Sequence, residues 1–220
     1  MSYGFGWGAY ILPYLEEIPL YQSMDFNKDF FDAPSGNRAA IGSSVKTFLC
    51  PSDPQGAELV FCCSGWTNGQ NPFQNVGNTD MAGVADTIDV TCDGTWPKHL
   101  VVANGVMAER EGTTVAMITD GLSKTFMLGE VTGGGLGTYL GNYWASWNVK
   151  STVYGINDSS TIPGGGHWQG YLHSGFSSFH PRGCHFMLAD GSVQFVSEII
   201  DASVMAAMTT RSGGEDAAIP

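Results

Sequence analysis

The sequence predicts an α+β fold: a mainly antiparallel β-sheet with short N-terminal helices and one C-terminal helix. Three observations carry this. The 220-residue chain has 43% hydrophobic residues, 30 glycines and only 14% charged residues, the composition of a loop-rich protein with a real core and not of a helical bundle. Short apolar runs flank Asp-Gly at 120–121 and 190–191, and Asp-Gly between such runs is a hairpin signal. Helical spacing occurs only near the ends, at Trp7, Ile11, Tyr14 and Leu15, and again at Ile200, Val204 and Met208. The expected organisation is a single soluble head domain over residues 1–220. Within it, 1–44 is helical and turn-rich, 45–196 a β-rich core, and 197–212 the C-terminal helix.

At the N-terminus, Pro13 would kink a helix begun at Trp7, so two short helices are expected. The second opens at Pro19, because proline is tolerated in a first turn. Glu16 and Glu17 read as a solvated face. Val45–Leu49 reads as a short strand stopped by the double-proline turn Cys50-Pro51-Ser52-Asp53-Pro54. Ala57–Cys63 reads as another strand, and 64–78 as an Asn/Gly-rich loop. Asp80–Asp86 is a candidate buried strand, and the apolar run Val101–Met107 is interrupted by Asn104-Gly105. Thr114–Ile118, the Asp120-Gly121 turn and Thr125–Glu130 suggest a strand–turn–strand unit. Tyr139–Trp147 alternates aromatic and small residues like a strand. The long loop 154–169 contains Gly164-Gly165-Gly166 but no P-loop lysine or strand-to-helix context, so phosphate cradling is not expected.

The last hairpin is the clearest element. His185–Ala189 and Ser192–Val196 flank Asp190-Gly191, predicting a type I′ turn with φ > 0 at both central residues. Alternation places Phe186 and Leu188 on one face of the first strand, and Val193 and Phe195 on one face of the second. His180-Pro181 leads in stiffly, since a residue before proline is held extended. Asp201 is the expected N-cap of a helix from Ala202 to about Thr210, closed by Gly213-Gly214. The tail from Glu215 is expected to fray.

Lys and Arg total 9 against 21 Asp and Glu, a net charge of −12. Such a surface repels nucleic acid and anionic membranes, so neither is expected as a partner. No cofactor is expected. The charge is compatible with calcium, but Asp86, Asp89 and Asp93 lack the D-x-D-x-D-G spacing of a calcium loop. The five cysteines form no C-x-x-C pair, so no metal site is expected. Two alternatives stand for them: a disulfide from Cys62 or Cys63 to Cys92, or reduced and buried thiols. No signal peptide or membrane-spanning run is present, and the chain reads as one trimmed of an upstream segment.

Three residues are candidate site residues: Glu130, His180 and Asp190. Glu130 ends an apolar strand, where a buried charge needs a partner, and Arg182 or Lys124 is the expected one. His180 is a proton carrier or metal ligand in the functional reading, and a packing or capping residue in the structural one. Its partner in the functional reading is Asp190 or Glu130; in the structural one Asp190 simply builds the turn. His167, His173 and His185 are further possible ligands. A Cys184–His180 catalytic pair is conceivable but disfavoured, because Cys184 enters an apolar strand.

Five stretches together give the chain a likeness: W-G-A-Y-I-L-P-Y-L-E at 7–16, F-L-C-P-S-D-P at 48–54, I-T-D-G-L-S-K-T-F-M-L-G-E at 118–130, H-P-R-G-C-H-F-M-L-A-D-G-S-V-Q-F at 180–195 and T-R-S-G-G-E at 210–215. In these it resembles the prepilin-type processing-associated His-x9-Asp-Gly family, a pilin-like bacterial family of unknown function. The resemblance implies a pilin-like head with a helix against an antiparallel sheet, located in the periplasm or at the cell surface. It also implies an N-terminal membrane helix, missing here, that would be the chain's only contact with membrane. A cysteine on that helix would explain an unpaired Cys50. The implied role is a non-catalytic, pseudopilin-like subunit of a type IV pilus or type II secretion apparatus. Its partners would be other pilin-like subunits or a polymer such as carbohydrate, and Trp7, Tyr10 and Ile11 would partly line the face left by the missing helix. The alternative is a secreted glycoside hydrolase with a carboxylate pair drawn from Glu130, Asp190, Glu16 or Asp53, and aromatic residues stacking on sugar rings.

Overall fold

The structure, a computed structural model, describes residues 4–54, 76–87, 104–107, 112–132, 142–145, 148–157 and 175–216. The strand expected at Ala57–Cys63, most of the 64–78 and 154–169 loops, Asp89, Asp93, His167, His173, and Cys62, Cys63 and Cys92 lie outside the described residues. Two compact units are present: Met1–Asp80 with Gly133–Asn148, and Met81–Thr132 with Val149–Pro220.

In the first unit α1 (Trp7–Ile11) passes into a 3₁₀ turn, Leu12–Leu15, because Pro13 has no N–H to continue the α-helical ladder. Glu16 closes that turn in the left-handed region, at φ 63°. Then α2 (Ile18–Gln22) opens with Pro19 in its first turn. Tyr10 is exposed, and Trp7 and Ile11 are half-buried. A third helix, α3 (Asn37–Ile41), lies within the helical and turn-rich stretch 1–44. Buried Asn37 organises it: its side chain accepts from the Asp25 N–H at 2.7 Å and donates to the Asp25 and Asp29 carbonyls at 2.9 Å.

Val45–Leu49 is not the expected strand; Lys46–Phe48 is a 3₁₀ turn. A strand needs a ladder, and this segment is tied instead by single bonds. The Asp80 N–H donates to Phe48 O at 2.8 Å, and the Asp80 carboxylate accepts from the Cys50 N–H at 2.5 Å. Phe48 is drawn into the core, 5.8 Å from the Trp7 ring and 6.3 Å from that of Trp144. This tertiary packing overrides local β-propensity. The fully buried Trp144 indole donates to Ser43 O at 2.9 Å. Gly77 passes so close that a Cβ there would lie 2.1 Å from Ser43 O.

The second unit is the predicted α+β arrangement. Its sheet has strand order β3-β1-β2-β4-β5, with β1 (Met81–Asp86), β2 (Phe126–Glu130), β3 (Val149–Ser151), β4 (Gly183–Leu188) and β5 (Val193–Ser197). Every neighbouring pair is antiparallel except β1 with β3. Along β4, Cys184, Phe186 and Leu188 point into the core, while His185 and Met187 stay partly exposed. Phe186 lies between Phe126 and Phe176, at ring distances of 4.4 and 4.8 Å. Below it β2 carries Gly129, where a Cβ would sit 2.5 Å from the Phe176 ring.

The C-terminal helix α4 (Ala202–Ala207) begins as expected, with the Asp201 carboxylate accepting from the Ser203 N–H at 2.8 Å. Met205 and Met208 enter the same core, with Ile200 and Val204 packed beside them. The helix stops at Ala207, well before Gly213-Gly214. Beyond Thr210 the chain crosses to other partners: the Arg211 N–H donates to Asn104 O at 2.9 Å, and the Gly213 and Gly214 N–H groups donate to the Asp120 carboxylate at 2.6 and 2.9 Å.

The same contacts correct the reading of Thr114–Glu130 as strand–turn–strand. Val115–Met117 and Leu122–Lys124 are 3₁₀ turns, and only Phe126–Glu130 is a strand. The Thr119 N–H is taken by Arg211 O at 2.7 Å. The Asp120 side chain therefore receives the C-terminal segment and does not turn a hairpin. Glu215 and Asp216 are held as well, through Thr210 and an ion pair to Lys124.

The 190–191 hairpin forms with a different turn from the one expected. The Leu188 N–H donates to Ser192 O at 2.8 Å and the Gly191 N–H to Leu188 O at 2.9 Å. Gly191 has φ 86°, whereas Asp190 stays at negative φ. This is a three-residue loop, a type I turn closed by a left-handed glycine, and not a two-residue I′ turn. The cause is the Asp190 carboxylate, which accepts from the Ser192 N–H at 2.9 Å and the Ser192 hydroxyl at 2.6 Å. That local bonding holds the aspartate in the ordinary backbone region. Phe186 and Leu188 do share a buried face, whereas Val193 and Phe195 share the solvent face.

Candidate functional site

Glu130 is the centre of the only polar cluster among the described residues that joins two of the three candidate residues. Gly129 faces the core, so alternation turns Glu130 to the outer face at the end of β2. Gly129 is paired with Phe186, which brings the preceding residue of β4, His185, alongside Glu130. The His185 N–H donates to Glu130 Oε2 at 2.6 Å, and its ring Nδ1 lies 3.1 Å from the same oxygen. His180 Nε2 lies 3.5 Å from the other oxygen, Oε1. The two imidazoles meet edge to face at 5.0 Å, and Phe195 packs on His185 at 5.2 Å.

The Glu130 side chain is 18% exposed, a depth at which a carboxylate needs bonding. The His185 ring and main-chain N–H provide it, with the His180 ring 3.5 Å from the other oxygen. The expected partners Arg182 and Lys124 do not: Lys124 pairs with Asp216, and Arg182 is exposed.

The loop that presents His180 is fastened at several points. The Ser178 hydroxyl accepts from the His180 N–H at 3.0 Å and donates to Gly183 O at 2.7 Å. The Ser178 N–H donates to Asn157 Oδ1 at 3.0 Å, and the Ser177 N–H to Glu130 O at 3.0 Å. Arg182 turns the chain at φ 66° into Gly183. Gly183 must be glycine, because a Cβ there would fall 2.1 Å from Val196 O. His180 is thus delivered to Glu130 by a short, bonded loop.

Asp190 is not part of this cluster. It sits in the turn beyond the other end of β4, which continues for about 10 Å past His185 at ~3.3 Å per residue. Its carboxyl is held below the ordinary range by the Ser192 hydroxyl and N–H. The folded state therefore gains stability from the ionised form above the ordinary value of 3.8, and loses it as pH falls through the lower folded value. Asp190→Ala is expected to lower the thermal midpoint at neutral pH, and Asp190→Asn, which keeps an acceptor for Ser192, to lower it less. Thermal melts of the two variants check this.

Of the other candidates, Glu16 caps the N-terminal 3₁₀ turn and Asp53 is buried in the Cys50–Pro54 turn; both belong to the first unit. Cys184 is fully buried, and burial first, then the negative charge of Glu130, pushes its thiol far up. It stays protonated, so the disfavoured Cys184–His180 pairing has no thiolate to work with. Imidazole and carboxylate are donor types that transition metals take. Here the two imidazoles sit on different oxygens of one carboxylate, His185 within hydrogen-bond distance of Oε2 and His180 3.5 Å from Oε1.

Among the described residues, no helix is long and apolar enough to cross a membrane. No curated protein and no solved structure matches the chain. A family model does, over residues 1–203. The chain belongs to that family, described as "Protein of unknown function (DUF1559)".

Proposed function

We propose that this chain is a non-catalytic, pilin-like head that acts outside the cytoplasm as a subunit of a filament or secretion apparatus. There it binds neighbouring subunits or a polymer such as carbohydrate, and any membrane attachment comes from an N-terminal helix. The carrying observation is the outer face of β4 and β5. Val193, opposite Met187, is 62% exposed, and Phe195, packed on His185, is 45% exposed. Large apolar side chains grouped on one surface mark an interaction site. A helix against a mostly antiparallel sheet agrees with the pilin-like likeness of the sequence, although a fold by itself does not fix a function.

The second reading is a secreted hydrolase. What favours it is the Glu130–His180–His185 cluster, a carboxylate hydrogen-bonded to one imidazole and 3.5 Å from a second in a partly open position, since such groups serve acid–base catalysis. Against a glycosidase, that chemistry needs two carboxyl groups roughly 5–10 Å apart. Asp190 lies at the far end of β4, with its carboxylate bonded to Ser192.

A panel of chromogenic glycosides and esters separates the two readings. The expected result is no turnover above background by the wild-type chain or by Glu130→Gln. Turnover by the wild type that disappears in a folded Glu130→Gln variant would replace the binding reading with the hydrolase.

A further inference from the structure

We infer that β5 is a self-complementary edge, through which two copies of this chain pair antiparallel about a two-fold axis at Gln194 and join their five-stranded sheets. The pairing rests on the backbone of β5 and not on the functional reading above.

The hydrogen-bond pattern sets which groups are free. At one end of the hairpin the Leu188 N–H donates to Ser192 O, and at the other the Glu198 N–H donates to Arg182 O. Antiparallel ladders alternate between bonded and non-bonded pairs. Phe186 with Gln194 and Cys184 with Val196 are therefore the bonded pairs. Met187 with Val193 and His185 with Phe195 are the non-bonded pairs in the observed register. The His185 N–H accordingly points away from β5, onto Glu130. By the same alternation, the N–H and C=O groups of Val193 and Phe195 point to the open edge. Among the described residues nothing is bonded to them.

One register satisfies all of these groups together. With Gln194 on the axis, Val193 exchanges N–H···O=C bonds with Phe195 of the second copy, and Phe195 with Val193 of the second copy. The same register sets a β-branched side chain opposite an aromatic one on the outer face, a favourable cross-strand pair. An exposed edge strand with no protecting charge is a template for such pairing. Residues 191–197, G-S-V-Q-F-V-S, carry no charge in a chain of net charge −12, so this edge is where a second copy can approach with least repulsion. The cost falls at the two ends, where Asp190 comes opposite Glu198 of the second copy. Salt screens that repulsion, so association is expected to strengthen as ionic strength rises.

Sedimentation equilibrium of the full chain at low and high salt tests the pairing. A dimer that tightens with salt is expected, weakened at least tenfold by Gln194→Glu, which sets two carboxylates face to face on the axis. Oxidation of Gln194→Cys tests the register: a covalent dimer is expected in excess of the wild-type background, and Ser197→Cys, whose two copies lie far apart in this register, is expected to give none. A monomer at every concentration and salt level would overturn the inference. So would a dimer indifferent to Gln194→Glu, or equal cross-linking from positions 194 and 197.

Discussion

Phe186→Ala is expected to lower the unfolding free energy by about 3–5 kcal/mol, the range for truncating a buried phenylalanine. Phe186 is fully buried, with Phe126 and Phe176 at 4.4 and 4.8 Å. The loss is expected near the upper part of that range, because the site cannot collapse. Phe176 already rests on Gly129, where there is no side chain to move inward. Met205 of α4 and Met208, just after it, belong to the same core. Gln194, opposite Phe186 on β5 but exposed, is the control, and Gln194→Ala should change stability by no more than about 0.5 kcal/mol. Urea unfolding of the two variants makes the comparison. Equal effects would mean that β4 does not present Phe186 to the core.

Raising the pH from 7 to 9 is expected to stabilise the folded chain by about 2 kcal/mol through Lys150 alone, at 1.36 kcal/mol per pH unit where the proton counts differ by one. Lys150 is buried on β3, and burial pushes its ammonium down from 10.5 to about 7. Between those values the unfolded chain binds a proton that the folded chain does not, so stability rises with pH across the window. The gain levels off as the ordinary lysine value is reached. Cys184 acts in the opposite sense above its ordinary value of 9.0, because the folded chain keeps a thiol proton that the unfolded chain releases. The expected curve therefore climbs from 7 to about 9 and then bends over. Lys150→Met should flatten the climb, and Cys184→Ala should move the bend from about 9 up toward the ordinary lysine value of 10.5. A flat profile between 7 and 9 for the wild type would contradict the burial of Lys150.

The elements legible in the sequence were those specified by neighbours in the chain. Pro13 and Pro19 divided the N-terminal helices, Asp201 capped α4, and the apolar run at 81–86 became β1. The Asp190-Gly191 pair located a hairpin, but the bond from Asp190 to Ser192 chose its turn type. Elements set by distant residues are not legible in the sequence. Val45–Leu49 and Thr114–Ile118 have strand-like composition, yet Phe48 is drawn to two tryptophans and the Thr119 N–H is taken by Arg211.

The site divides in the same way. Glu130 and His180 were visible as a carboxylate ending an apolar strand and a histidine before a proline. Their meeting depends on β2 pairing with β4, which is set by residues more than fifty positions apart and leaves no local mark. His185 was visible only as a spare ligand. Its alternation with buried Cys184 and Phe186 was the available sign that it faces outward, toward Glu130.

The central claim is that His180 belongs to Glu130 and His185, while Asp190 serves only its own turn. Nuclear Overhauser contacts from the His180 ring, in a sample labelled selectively at histidine, alanine and aspartate, test this most directly. Cross-peaks to the His185 ring, whose centroid is 5.0 Å away, are expected, with none to Ala189 or Asp190. Contacts from His180 to Ala189 or Asp190, with none to His185, would contradict it.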